Sequence, residues 1–142
     1  MRHVSDPAVL YVEDDPNDIR LMRYAWARVG VPNPLHILRE GEEAMRYLSG
    51  QGRYVDRGAH PMPCLMLIDL KLPGMSGLDV LKWLRTQPVL QTLRVIVLSS
   101  SRRPPDIATH PLMIDEYLAK PAFFDEWVAM VTSLRETWLG RA

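Results

Sequence analysis

The chain has one cysteine, Cys64, in 142 residues and no excess of either charge, with Lys plus Arg and Asp plus Glu both at 17. A single cysteine excludes an internal disulfide. Its place at the head of an apolar run reads as a small buried side chain rather than a reactive thiol. The charge balance lacks the basic excess that draws proteins onto nucleic acid or anionic membrane, so neither is expected as a partner. No apolar run approaches the ~20 residues of a membrane span. The stretch from Met1 to Pro7 has no apolar signal core, so a cytoplasmic protein is expected. Repeats, low-complexity tracts and an interdomain linker are also missing. The expectation is therefore one domain over 1–142, with a core over 7–138 and no output domain. A chain of this length buries roughly 70% of its unfolded surface.

What the sequence does have is a set of short apolar runs that end abruptly in polar residues. Val9-Leu10-Tyr11-Val12 opens onto Glu13-Asp14-Asp15, the run from Cys64 to Ile68 ends at Asp69, and Val95-Ile96-Val97-Leu98 opens onto Ser99-Ser100-Ser101. Continuous runs of this length suit parallel strands covered on both faces, and ligands of such sheets bind beyond the strands' carboxyl ends. Strands are predicted at 8–12, 35–38, 64–68, 93–98 and 117–119. Helices are predicted at 16–29, 41–48, from Ser76 to before Pro88, and at 124–138, with Gln51 to Pro63 as a polar loop. Pro104-Pro105 can start a further helix that Pro111 shortens. Asp15, followed by Pro16, reads as an N-cap rather than a ligand. Alternating strands and helices with short connections give an α/β, doubly wound fold with a central parallel sheet.

The order and placement of these signals resemble a response-regulator receiver domain. The residues carrying the likeness are Glu13-Asp14 after the first strand and Asp69 after the third, followed by Leu72-Pro73-Gly74-Met75-Ser76-Gly77. Ser99 after the fourth strand and Lys120-Pro121 after the fifth complete it. The resemblance implies a flavodoxin-like (βα)5 fold with five strands in order 2-1-3-4-5. It also implies that Asp14 and Glu13 bind a metal ion together with Asp69 and the backbone carbonyl of Lys71. Ser99 and Lys120 contact the phosphoryl group, the peptide before Pro121 is cis, and Tyr117 with Ser99 forms an aromatic switch. Within the family, the 51–63 loop, the Asp-Leu-Lys-Leu-Pro turn and the Glu-Tyr-Leu-Ala-Lys-Pro ending resemble single-domain regulators paired with phytochrome-type histidine kinases, the implied partner.

The residues themselves argue for the same chemistry. Two carboxylates about 4 Å apart repel by roughly 4 kcal/mol at an effective dielectric near 20, so converging Glu13, Asp14 and Asp69 need a cation. Hard oxygen donors suit magnesium, which takes one or two carboxylates and completes its shell with water and phosphate oxygens. Asp69 can attack a phosphoryl donor as a carboxylate, with no general base. Function then lies in a changed surface, and the only reactions catalysed are the protein's own phosphorylation and dephosphorylation. The alternative is a phosphate-independent receiver-like interaction module. A dehalogenase-type phosphatase is disfavoured by Lys71, where such enzymes place a second aspartate, and a flavodoxin by the lack of a Ser/Thr/Gly-rich loop after the first strand. In the last helix, Phe123, Trp127, Met130, Leu134 and Trp138 make one apolar stripe, while Phe124, Val128 and Val131 make a second. The second stripe predicts an interface, most simply a symmetric homodimer.

Overall fold

The structure, a computed structural model, describes residues 6–100 and 114–140. Five strands, β1 (Val9–Val12), β2 (Leu35–Leu38), β3 (Leu65–Ile68), β4 (Arg94–Ser99) and β5 (Glu116–Ala119), form one parallel sheet in the order β2-β1-β3-β4-β5. The helices among the described residues are α1 (Pro16–Val29), α2 (Gly41–Ser49), α3 (Gly77–Leu84) and α4 (Phe124–Trp138). The helix expected from Pro104-Pro105 falls outside the described residues.

The apolar strands are continuous because each face of the sheet is covered. Val9, Tyr11, Leu65, Leu67, Ile96 and Leu98 pack with Met22, Ala25 and Trp26 of α1 and Trp127, Val131 and Leu134 of α4. Leu10, Val12, Met66, Ile68, Val95 and Val97 point the other way, onto Tyr47 and Leu48 of α2 and Val80, Leu81 and Leu84 of α3. Period-two placement thus splits each run between two cores, and no strand position is left to face water except at the sheet's ends.

Local signals set the helix ends. Asp15 accepts from the Asn17 and Asp18 amides and Pro16 occupies the first turn, while Gly30 (φ 75°) takes the left-handed conformation that closes α1. At α4 the Glu126 carboxylate reaches back to the Ala122 and Phe123 amides. The 51–63 segment is less of a polar loop than its Gly and Pro content predicts. It contains a 3-10 turn (Gly52–Tyr54) that buries Tyr54 against Tyr47 and His60. The Arg57 guanidinium donates to the carbonyls of Tyr47, Leu48 and His60, closing the carboxyl end of α2. Aromatic burial outweighs the turn signals here.

The last helix corrects part of its expected interface. Val131, expected to face a partner with Phe124 and Val128, is fully buried in the core it shares with α1. The residue needed to fill that core is one turn beyond Trp127, so the inward face is wider than one stripe. Phe124 and Val128 are half-buried. Phe123, placed by periodicity on the inner stripe, precedes the helix and is 71% exposed. Trp138 is held within the chain by a bond from Nε1 to Glu116 on β5, 2.9 Å.

Candidate functional site

The carboxyl ends of the strands carry the expected polar residues on backbone that continues the sheet. The Glu13 amide donates to Leu38, the Asp69 amide to Val12 and the Lys120 amide to Ser99, at 2.9, 3.1 and 2.7 Å. These side chains are therefore mounted on sheet-like backbone rather than on free loops. A close approach fixes the segment after β3. A Cβ on Gly77 would lie 2.2 Å from the Asp69 carbonyl oxygen and 2.8 Å from the Leu70 Cα, so only glycine lets α3 start beneath the loop that holds Asp69. The Gly77 amide donates to Leu70 across that contact.

The Lys120 ammonium is the centre of the side-chain arrangement. Its Nζ lies 2.7 Å from Glu13 Oε1, Asp18 Oδ2 and Asp69 Oδ2. An ammonium has three protons, and three carboxylates accept them. Asp69, 4% exposed, uses its other oxygen to accept from the Lys71 amide at 2.9 Å. Glu13, fully buried, accepts with Oε2 from the Asp14 and Asp15 amides, and the Tyr11 hydroxyl donates to Oε1 at 3.4 Å. Burial pushes the Glu13 carboxyl up to about 7; Lys120 works to lower it and Asp69 to raise it. Burial acts to lower the Lys120 pKa, but its three carboxylates more than reverse this and hold the ammonium firmly charged. Burial, reinforced by the neighbouring acids, pushes the Tyr11 phenol far up, so it remains a neutral donor.

The structure therefore brings Glu13, Asp69 and Lys120 together, with Ser99 buried at the end of β4. Asp14 stands beside them, exposed, and the Lys71 side chain is also exposed while its backbone meets Asp69. Tyr117 is half-buried on the α2–α3 side of the sheet. The peptide before Pro121 is trans, not cis as the resemblance implied, and Lys120 reaches the acids from it. Asp15 is a helix cap, as its sequence context predicts. Sequence reasoning missed two residues. Asp18, an acid in the first turn of α1 next to the acidic strand end, is a full partner of Lys120, and its closeness in sequence to Glu13 and Asp14 was the available signal. Tyr11, a hydroxyl inside an aliphatic run, supports Glu13 from below.

The donors fit magnesium in its usual protein mode. Among the described residues no group of three or more His, Cys, Asp or Glu side chains forms a cage for a metal ion. Both oxygens of Glu13 are engaged, one by Lys120 and the other by backbone amides. Asp69 is engaged likewise, by Lys120 and by the Lys71 amide, so Asp14 is the exposed carboxylate of the set. Asp69 and the Lys71 carbonyl would join it as hard oxygen donors once an ion that keeps several waters and shares phosphate oxygens displaces Lys120 from one Asp69 oxygen.

A parallel 2-1-3-4-5 sheet with an acid pocket and an invading lysine at its strand ends defines a receiver domain. The chain belongs to the response regulator receiver domain family, whose model matches residues 9–132. It is 35% identical over 132 residues to the response regulator Rcp1 of Synechocystis sp., covering 92% of this chain and 88% of that protein. It is also similar to the crystal structure of the phosphorylated cyanobacterial phytochrome response regulator RcpA, at 35% identity and a TM-score of 0.85 over 96% of both chains. The Mn2+-bound form of Rcp1 superposes with a TM-score of 0.82 at 34% identity, again over 96% of both chains.

Proposed function

We propose that this chain is a stand-alone response regulator that accepts a phosphoryl group on Asp69 and signals through a changed protein-binding surface. The observation that carries the reading is the Asp69 carboxylate at the end of β3, nearly buried, with Lys120 2.7 Å away and Ser99 buried on the next strand. An Asp69 oxygen forms a bond to phosphorus as the bond from phosphorus to the donor breaks. With a phosphohistidine donor, the electron pair of that bond stays on the imidazole nitrogen. Lys120 pairs with the transferred group and Ser99 donates a proton-bearing hydroxyl to it, the electrostatic positioning on which phosphoryl transfer depends. Asp14, Glu13, Asp69 and the Lys71 carbonyl would hold magnesium, which would supply charge neutralisation at the phosphoryl oxygens. Tyr117 is the proposed readout, turning inward as Ser99 closes on phosphate.

The donor is proposed to be a histidine kinase of the phytochrome type, supported by the identity to a protein described as a phytochrome response regulator. Assembly is proposed to be a homodimer through α4 and β5. Leu118, Ala119, Pro121 and Met130 line a groove between these elements at the sheet's edge, where β5 pairs only with β4 among the described strands. The site test is intact-mass spectrometry after incubation with acetyl phosphate and magnesium. Wild type gains one phosphoryl group and Asp69→Asn gains none. Equal incorporation by the Asn variant would place the acceptor elsewhere, and no incorporation by wild type would favour the phosphate-independent interaction module.

A further inference from the structure

We infer that Asp18 is a positioning residue of this site. It holds Lys120 over Asp69 in the resting protein and competes with the phosphoryl group for the ammonium. The inference rests on the phosphoacceptor reading and adds a residue that the receiver motif does not contain.

The geometry separates Asp18 from its neighbours. All three Lys120 protons are taken in the resting state, by Glu13, Asp18 and Asp69. Glu13 and Asp69 each have other work in the proposed reaction, near the cation and at phosphorus. Asp18 has none, so it is the carboxylate that remains on Lys120 throughout. Its side chain is 18% exposed, and that of Lys120 11%, so the pair is shielded from solvent screening. Asp18 is also rigidly mounted. It sits in the first turn of α1, its amide bonded to the Asp15 cap, and it ties that helix to β5 across 102 residues of sequence. An acid in a first helical turn is ordinarily placed there by the helix dipole alone. Here the carboxylate turns from solvent to meet a largely shielded ammonium.

Charge gives the effect its direction. Glu13, Asp18 and Asp69 set three acidic groups against one ammonium, with Asp14 outside. Removing the Asp18 charge frees one Lys120 proton for a phosphoryl oxygen and weakens repulsion of an anionic donor. The same removal weakens attraction for a divalent cation. Two opposite changes follow, and a merely structural role would not produce them.

The test compares wild type with Asp18→Asn, Asp18→Ser and Asp18→Glu at fixed ionic strength. Magnesium binding is followed by isothermal titration calorimetry, and the rate of phosphorylation by acetyl phosphate is measured at saturating magnesium. Asp18→Asn and Asp18→Ser are expected to raise the phosphorylation rate at least threefold while weakening magnesium binding at least twofold, and Asp18→Glu to return both toward wild type. An unchanged or slower rate in both neutral variants, with native circular dichroism, overturns the inference while a phosphorylated wild type leaves the receiver reading standing. A wild type that takes up no phosphoryl group overturns both.

Discussion

Glu13 carries the charge problem of the site. Its carboxyl is fully buried, meets Lys120 at 2.7 Å and is still pushed up from 4.5 to about 7, because burial outweighs the lysine. A folded-state pKa above the unfolded value means that the native protein binds the extra proton between these two values. The resulting stability is fully present below about pH 4.5 and is lost as pH rises through about 7. Without a divalent cation, the urea midpoint should fall across that window, and Glu13→Gln should flatten the fall. Magnesium favours the ionised carboxyl, so its affinity should rise with pH over the same range, which calorimetric titrations at pH 6 and 8 measure directly. The identity of Glu13, Asp14, Asp69, Ser99 and Lys120 as strand-end residues was legible in sequence, since each follows an apolar run. Their pairing was not. Which acids a lysine meets depends on rotamers and burial across elements distant in sequence, so Asp18 stayed hidden as an ordinary helix-start acid.

At the scale of elements, the contact between α3 and the end of β3 is the tightest in the site. Gly77→Ala would drive a methyl group into the Asp69 carbonyl and Leu70 Cα, both backbone atoms. Overpacking of this kind costs about 1–3 kcal/mol, and the loop that carries Asp69 must shift to accept it. Chemical denaturation should show that loss, and phosphorylation should slow more than stability alone explains. A variant with wild-type stability and a wild-type rate would show that the contact relaxes freely. Most elements were legible because strand runs buried on both faces and helix caps such as Asp15 and Ser76 are local signals. The 51–63 segment was not, because its order comes from long-range packing of Tyr54 and His60 on Tyr47 and from Arg57 closing α2. Its glycines and prolines are the same in a free loop and a packed one. The inward face of α4 was misjudged at Phe123 and Val131 for a related reason. Period alone does not say how wide a core the neighbouring α1 demands, and Val131 fills that width.

For the whole molecule, the proposed homodimer separates into two outcomes along one helix. Val128→Asp, at a half-buried position, should give a folded monomer that still accepts phosphate, whereas Val131→Asp, at a fully buried one, should unfold the chain. Light scattering with wild type and both variants decides this, and a wild type that stays monomeric at high concentration removes the dimer. The backbone bonds beneath the site have a further consequence. Glu13, Asp69 and Lys120 donate their amides to Leu38, Val12 and Ser99, so each site residue is a rung of the same ladder that joins the strands. None of those rungs opens unless neighbouring strands part. Their amide protons should therefore exchange with solvent among the slowest in the chain, alongside those of the central strands, at a rate set by global unfolding. Signalling chemistry and folding cooperativity then share one clock: a mutation anywhere in the sheet that speeds global opening also shortens the time for which the acid pocket exists.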